Sequence, residues 1–241
     1  LCLILFLNLF SRVRGWNPNL YPYDPRIHVL GNHGILGKIH ANMAPCITKA
    51  IDKIAYDGYD VRDNVQKYIN AKYGILDSIL LNNYHYPSVL DICCGTGLST
   101  PKFHNCMGID TSHEMISVAQ RLNENNLQEL IPSFMVMNAE DNHDYFKKKG
   151  IEFDVCTCFF GFHEMPRFAR RKILDHQESN IKSCMIIVDI CPEYVPSESM
   201  LMGEPYVKDY LKYVREDLRD YTEFVLIPGH VHMWHKELDN K

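Results

Sequence analysis

Two aspartates flank a glycine-rich turn in a pattern that suits the binding of a nucleotide. The apolar run 88–92 predicts a short buried strand, and Asp91 lies near its end. The Gly-Thr-Gly at 95–97 lets the backbone turn tightly and lets a ligand approach, because glycine has no Cβ. A second apolar stretch ends on Asp110. In a doubly wound α/β fold an acid at this place accepts hydrogen bonds from the two hydroxyls of a ribose, so the pattern predicts a nucleotide-type ligand.

The glycine turn departs from the loop that binds a dinucleotide. A pyrophosphate loop has the form G-x-G-x-x-G, and Thr100 stands here at its third glycine position. This departure disfavours an NAD-dependent oxidoreductase. The stretch instead resembles motif I of the class I S-adenosylmethionine-dependent methyltransferases, usually D-x-G-x-G-x-G. Asp91, Gly95 and Gly97 match that motif, whereas Cys93 replaces its first glycine.

The resemblance extends from about residue 87 to the C-terminus and implies a fold, a cofactor and a set of contacts. The implied fold is a Rossmann-like, doubly wound α/β domain with a mostly parallel seven-stranded sheet, an antiparallel last strand and an N-terminal helical cap. We expect an apolar segment and linker at 1–33, the helical cap at 34–86 and the S-adenosylmethionine-binding domain at 87–241. The implied cofactor is S-adenosyl-L-methionine, and its expected contacts are Asp91, Cys93, Gly95, Gly97, Asp110, Thr111, Asn138, Ala139 and Phe160.

Asn138 and Ala139 follow the third predicted strand, where the family has an acid-Ala pair facing the adenine. Asn138 replaces the usual aspartate, and an amide can still hydrogen-bond the edge of an adenine. The cluster at 138–141 can also cap the following helix, and the two roles can hold together. The departures at Asn138 and Cys93 also leave open a non-catalytic binding protein that keeps the fold.

The loop at 160–166, Phe-Gly-Phe-His-Glu-Met-Pro, should face the transferred methyl group, because ligands of open α/β sheets bind beyond the carboxyl ends of the strands. It carries neither the Pro-Pro-aromatic box of nucleobase amino-methyltransferases nor the Pro-Cys nucleophile of C5-cytosine enzymes. Its His-Glu-x-Pro form resembles small-molecule methyltransferases related to those of quinone and menaquinone biosynthesis. We therefore expect a small-molecule acceptor, with His163 either as general base or as a residue that only orders the loop.

The composition suits one globular core without an affinity for nucleic acid. The chain has 241 residues, of which 46% are hydrophobic, and can bury one good core. A formal net charge of −5 provides no electrostatic footprint for nucleic acid. Nine cysteines without C-x-x-C pairs suit a reducing, intracellular compartment. His143 lies between Asp141 and Asp144, but no further ligand set accompanies them, so we expect no metal.

The N-terminal part of the chain is predicted to contain a leader, a linker and helices. Residues 1–10 are apolar, uncharged and too few to span a bilayer. We interpret them as the remainder of a signal, transit or membrane-anchor segment, or else as a strand or helix docked on the domain. The stretch 17–33, rich in Pro, Tyr, Asn and Gly, predicts an irregular linker. Apolar spacing over 35–81 predicts helices, from which Tyr56 and Tyr59 either cover the methyl donor or are ordinary interface aromatics.

The remaining local signals predict helix caps and a terminal hairpin. Ser99 or Thr100 can cap a short helix that starts at Pro101. The Thr-Ser-His-Glu at 111–114 has the form of a capping box. The stretch 222–236, with a Pro-Gly turn in its middle, predicts a β-hairpin, and class I methyltransferases end in this way.

Overall fold

The computed structural model describes residues 17–24, 26, 31–73, 75–76, 84–102, 105–124 and 132–238. The apolar segment at 1–10 lies outside these described residues. Among the helices that are described, none is long and apolar enough to cross a membrane.

A seven-stranded sheet forms the centre of the fold, beside a small antiparallel ribbon of β1 (Ile75–Leu76) and β2 (Tyr84–His85). The strands of the sheet are β3 (Val89–Ile92), β4 (Met107–Asp110), β5 (Ser133–Val136), β6 (Phe153–Phe159), β7 (Ile181–Ile190), β8 (Thr222–Ile227) and β9 (Val231–Glu237). Their spatial order is β5–β4–β3–β6–β7–β9–β8. β9 is antiparallel to both of its neighbours, and the other pairs are parallel, so the predicted fold class is confirmed.

Helices flank this sheet, and the first two fall in the segment predicted to be a helical cap. The prediction of helix through 75–76 is wrong, because these residues pair with 84–85 as an antiparallel ribbon. The described helices are α1 (Gly34–Ile54), α2 (Val61–Tyr73), α3 (His113–Glu124), α4 (His143–Lys149), α5 (Arg167–Asn180), α6 (Glu198–Gly203) and α7 (Val207–Asp217), with a 3₁₀ turn at Phe162–Glu164.

β7 shows that the middle of the sheet is covered on both faces. Its residues 185–188, Met-Ile-Ile-Val, are completely buried and form the continuous apolar run that such strands require. Successive side chains point to opposite faces. Ile186 packs with Val65 of α2, whereas Ile187 packs in the other core with Ile173 of α5 and Tyr210 of α7.

The strand order reverses next to β3. The chain runs from β3 through β4 to β5 on one side, and then returns to place β6 on the other side of β3. Such a reversal opens a crevice outside the carboxyl ends of the strands, which is where open α/β sheets bind ligands. The loops after β3, β4, β5 and β6 therefore meet where the sequence predicts the site.

The short helix predicted at Pro101 is wrong for the described residues 98–102, which form bends. The hydroxyls of Ser99 and Thr100 donate to the carboxylate of Asp91 and so do not cap a helix.

The capping box predicted at 111–114 is shifted by one residue. α3 begins at His113, and the Oγ of Ser112 accepts a hydrogen bond from the N–H of Met115 at 3.2 Å. The carboxylate of Glu114 accepts instead from the N–H of Gly34, at 2.8 Å, and so joins α3 to the start of α1.

Candidate cofactor-binding site

The turn that follows β3 holds three residues in the left-handed backbone region. Cys93, Gly95 and Gly97 have φ angles of +54°, +52° and +74°. Glycine adopts this conformation without steric cost, whereas Cys93 is an uncommon case. A Cβ on Gly97 would lie 2.6 Å from the ring of Phe134, but a Cβ on Gly95 would meet nothing within 4 Å. Gly97 is therefore required for packing, while the space beside Gly95 is open to a ligand.

Asp110 ends β4 and joins this strand to the glycine turn. Its Oδ2 accepts a hydrogen bond from the N–H of Gly95 at 2.9 Å, and its Oδ1 accepts from the N–H of Ser112 at 2.8 Å. Burial raises the pKa of the Asp110 carboxyl, while these two N–H groups act in the opposite direction. The residue lies in the wall of a cleft, together with its neighbour Thr111.

Asp91 is completely buried and is bound by three hydroxyl groups. Ser99 and Thr100 donate to its Oδ2 at 2.8 and 2.7 Å, and Thr157 of β6 donates to its Oδ1 at 2.8 Å. Burial outweighs these bonds and raises the pKa of the carboxyl to about 6. Asp91 is not among the described residues that line the cleft. Its hydrogen bonds fix the glycine turn to β6.

A cleft that is open to solvent lies at the carboxyl ends of β3, β4, β5 and β6. Five of the residues predicted to contact the cofactor line it, namely Cys93, Asp110, Thr111, Asn138 and Ala139. The other four are outside the described lining: Asp91, Gly95, Gly97 and Phe160. The structure thus brings together the predicted residues from three separate strand ends.

The stretch 17–24, called here the N-terminal strap, lies against this cleft. Tyr21 and Tyr23 line it, and their rings meet edge to face at 5.1 Å between centroids. The hydroxyl of Tyr21 donates to the carbonyl of Glu164 at 3.1 Å, and that of Tyr23 donates to the carboxylate of Glu140 at 2.7 Å. The strap is irregular, as predicted, but its composition gives no signal that it docks in the site.

Asn138 is bound to the strap rather than to a helix. Its Nδ2 donates to the carbonyl of Leu20 at 2.9 Å, and its Oδ1 accepts from the N–H of Glu140 at 2.9 Å. The second bond closes a local turn of the kind that asparagine favours. α4 begins only at His143, after Asn142, and no described side chain caps it, so the prediction that the cluster at 138–141 caps this helix is wrong.

His163 lies in the 3₁₀ turn after β6 and is only 4% exposed. Its Nδ1 donates to Oδ1 of Asp189 at 2.6 Å, and its Nε2 lies 3.6 Å from a carboxylate oxygen of Glu204. Burial lowers the pKa of the imidazole, but the charge and hydrogen bond of Asp189 outweigh it and raise that pKa to about 9. His163 is not among the described residues that line the cleft.

A guanidinium of α2 lies beside the loop that follows β6. Arg62 lies over the ring of Phe160, 5.1 Å from the centroid, and its charge acts to lower the pKa of Asp91. Within the described residues it makes no hydrogen bond, and its ion pair with Asp52 is 3.7 Å long. Sequence reasoning did not single out Arg62, because an arginine in the first turn of a helix has the pattern of a solvated residue.

The two tyrosines predicted to cover the methyl donor differ in position. Tyr56 is half-buried, and burial raises the pKa of its hydroxyl to about 12. Its ring lies 6.2 Å from that of His230, at the carboxyl side of the sheet. Tyr59 is exposed. Of the pair, Tyr56 therefore stays a candidate for the wall of the site.

One group of described residues outside the cleft has metal-like spacing. The ligand atoms of Cys191, Glu193 and His232 lie within 4.8 Å of one another. Glu193 already pairs with Arg215, and Nδ1 of His232 donates to Glu223 at 2.6 Å. These charge pairs account for the cluster without an ion.

Comparisons with known proteins agree with this geometry. Residues 89–201 match the family model described as a methyltransferase domain. Among curated proteins, none matches the chain.

Three solved structures share the fold at low sequence identity. The CurJ carbon methyltransferase is 13% identical, with a TM-score of 0.58 over 83% of this chain and 61% of that one. The O-methyltransferase family 2 protein of Planctomyces limnophilus DSM 3776, solved with apigenin, is 14% identical, with a TM-score of 0.51 over 82% and 61%. The methyltransferase domain of bacterial CtHen1-CN is 14% identical, with a TM-score of 0.51 over 73% and 97%.

The sheet order and the cleft at its point of reversal define a Rossmann-like protein of the methyltransferase fold. The family match begins at β3 and includes the glycine turn, Asp110 and the loop of His163. Residues 89–201 are therefore similar to a methyltransferase domain, in agreement with the motif I that the sequence carries. The comparisons give no support to an NAD-dependent oxidoreductase.

Proposed function

We propose that this protein is an S-adenosylmethionine-dependent methyltransferase that acts on a small molecule and that the cleft binds the cofactor through Asp110. The observation that carries the assignment is a carboxylate in the wall of the cleft, joined to the open glycine turn by the 2.9 Å bond from Gly95. When bound, S-adenosylmethionine supplies a methyl group activated by the positive charge on sulfur. The residues of the chain then align the reactants and exclude water, and both effects speed a direct displacement.

We place the ribose of the cofactor first and then the parts of the cofactor on either side of it. Asp110 is placed to accept the ribose hydroxyls, beside Thr111. The open space at Gly95 receives the neighbouring part of the cofactor, because no side chain fills it. Asn138 and Ala139 face the adenine. When the adenine binds, Asn138 hydrogen-bonds to it in place of the carbonyl of Leu20 in the strap.

We assign Arg62 to the carboxylate of the cofactor's methionine part. A guanidinium has five donors in a planar fork that matches a carboxylate, and those of Arg62 make no hydrogen bond with the described residues. Arg62→Gln should weaken cofactor binding by about tenfold or more, and Arg62→Lys should restore only part of it. Arg215→Gln, an exposed arginine elsewhere, is the matched control. Wild-type affinity in Arg62→Gln would remove the assignment.

The small-molecule acceptor is supported by the loop after β6. That loop has the His-Glu-x-Pro form and lacks the nucleobase motifs, and the net charge of −5 disfavours a nucleic-acid substrate. A protein of the same fold has been solved with apigenin. Phenols, quinols and small carboxylic acids are therefore the acceptors to examine first.

His163 is the candidate general base, and its surroundings favour the alternative that it orders the loop. With a pKa of about 9 the imidazole is charged at neutral pH and has no free lone pair for a proton. If it acts as base, His163→Gln should lower turnover about 10²–10⁴-fold while cofactor affinity is kept. If it only orders the loop, turnover on the true acceptor should stay near that of the wild type.

The test combines binding with transfer. Titration calorimetry should show saturable binding of S-adenosylmethionine and none of NAD. A methyl-labelled cofactor should then label one chemical class in the acceptor panel. Binding of NAD alone would contradict the cofactor assignment. Labelling of protein or nucleic acid, with none of the small molecules, would overturn the acceptor class and leave the cofactor assignment standing.

We also propose that the enzyme works in a reducing compartment. The eight cysteines of the described residues are free thiols. Several are buried in the strands, such as Cys156, Cys158 and Cys184, where a thiol acts as a small apolar side chain. Thiol titration of denatured protein isolated under acid quench should find every cysteine reduced, and a protected pair would contradict this.

A further inference from the structure

One face of α1 presents a row of large apolar side chains to solvent. Its six residues recur about every four positions and are 40–83% exposed: Ile35, Ile39, Met43, Ile47, Ile51 and Ile54. Residues four apart lie on one side of a helix, and a helix of this length spans about 31 Å. We call this row the α1 stripe. An exposed apolar surface of this length marks an interaction site.

The face of α1 that packs on the domain carries small residues instead. The buried residues of α1 are Gly34, Gly37 and Ala41, and Ala41 packs against Met115 and Val118 of α3. An amphipathic helix normally buries its large apolar residues and exposes its polar ones. α1 instead buries only small residues and exposes its large apolar ones together with its lysines. Because α1 packs on the domain through its small residues, the α1 stripe is available to contact another partner.

Basic residues run along one edge of the stripe, and three of them belong to α1: Lys38, Lys49 and Lys53. At 100° per residue these lysines fall in a sector of about 60° next to Ile35. Arg121 of α3 reaches the same edge, because it donates to Asn42 at 2.6 Å. The single acid of α1, Asp52, pairs with Arg62 instead. The surface is therefore apolar with a positive edge.

An apolar stripe with a positive edge has the chemistry of a helix that lies on an anionic bilayer. Such a helix sinks its apolar face into the headgroup boundary while lysines and arginines reach the phosphates. The uncharged apolar run 1–10, followed by Arg12 and Arg14, precedes α1 and adds a second segment with lipid affinity. We propose that α1 docks this enzyme on the surface of an anionic phospholipid membrane through the α1 stripe.

Co-sedimentation of the full chain with vesicles tests the proposal. One set of vesicles contains phosphatidylcholine alone, and the other contains phosphatidylcholine mixed with phosphatidylserine. The wild type should bind the mixed vesicles more tightly, and Ile39→Glu/Ile47→Glu should lower that binding about tenfold or more. Val195→Glu/Val225→Glu adds the same charge at exposed apolar positions outside α1 and should bind like the wild type. Residues 1–10 are intact in every variant, so a difference belongs to α1.

Further measurements distinguish a membrane from a second copy of the chain as the partner of the α1 stripe. Lys38→Ala/Lys49→Ala should reduce the preference for phosphatidylserine, because two of the four basic residues at the edge of the stripe are removed. Equal vesicle binding by the wild type and Ile39→Glu/Ile47→Glu would overturn the proposal. The proposal would also be overturned if light scattering showed a dimer for the wild type and a monomer for this variant, while vesicle binding stayed the same. The stripe would then contact a second copy of the chain. Unchanged circular dichroism and cofactor affinity verify that the variant is folded.

Discussion

β4 and β7 each carry an aspartate near their carboxyl ends, at the same edge of the sheet, but the two are used differently. Asp110 accepts from two backbone N–H groups and stands in the wall of an open cleft. Asp189 is completely buried, because the N–H of Phe162 and the imidazole of His163 close over it. An acid at a strand end is thus free to bind a ligand only where the following loop leaves one of its sides open.

Removal of Asp189 should have the largest effect on stability. Asp189→Ala removes the carboxylate that accepts from His163 and leaves this buried imidazole with its longer, 3.6 Å contact to Glu204. Breaking a buried pair from one side costs about 3–5 kcal/mol. Asp110→Ala removes bonds only to backbone N–H groups and should cost clearly less. Urea denaturation measures both free energies of unfolding. Comparable losses of unfolding free energy in the two variants would contradict the distinction between the buried Asp189 and the open Asp110.

The pH dependence of stability should identify the same buried pair. The pKa of His163 is about 9 in the folded protein, above the ordinary value of 6.5, because Asp189 outweighs burial. The folded state therefore binds the proton more tightly, so the stabilisation is complete below about pH 6.5 and is lost as pH rises through about 9. His163→Gln should flatten this decline. An identical decline in the variant would assign it to other groups.

The glycine turn offers a smaller contrast within the open region. Gly97→Ala should destabilise the fold by about 1–3 kcal/mol, because its Cβ meets Phe134 and its φ is +74°. Gly95→Ala meets nothing in the protein and should cost about 1–2 kcal/mol through its backbone alone. Cofactor affinity should fall more in Gly95→Ala. If Gly95→Ala instead lost more stability and Gly97→Ala lost more cofactor affinity, the ligand would not approach at Gly95.

The strand ends were predictable from sequence because their signals are local. The turn at 95–97 and Asp110 are fixed by spacing within one strand–turn–strand unit, and the continuous apolar run of β7 identifies a central strand. The partners of Asp91 were not predictable in the same way. Thr157 comes from another strand, so only the tertiary pairing of β3 with β6 brings it to that carboxylate.

The regions that sequence reasoning did not resolve all depend on docking. The strap was predicted correctly as irregular. Its hydrogen bonds, however, join it to Asn138 and Glu140, which lie more than a hundred residues away in the sequence. Arg62 likewise gains its position only when α2 packs on the sheet. Neither composition nor periodicity contains that information, because both describe a segment and not its neighbour.

The central claim is that the open aspartate, Asp110, binds the cofactor. Titration of S-adenosylmethionine into Asp110→Ala should show an affinity at least about tenfold lower than the wild type, because charge-assisted hydrogen bonds to the ribose are lost. Asp141→Ala, an exposed acid near the cleft that pairs with Lys172, is the matched control and should bind like the wild type. Wild-type affinity in a folded Asp110→Ala would contradict the account.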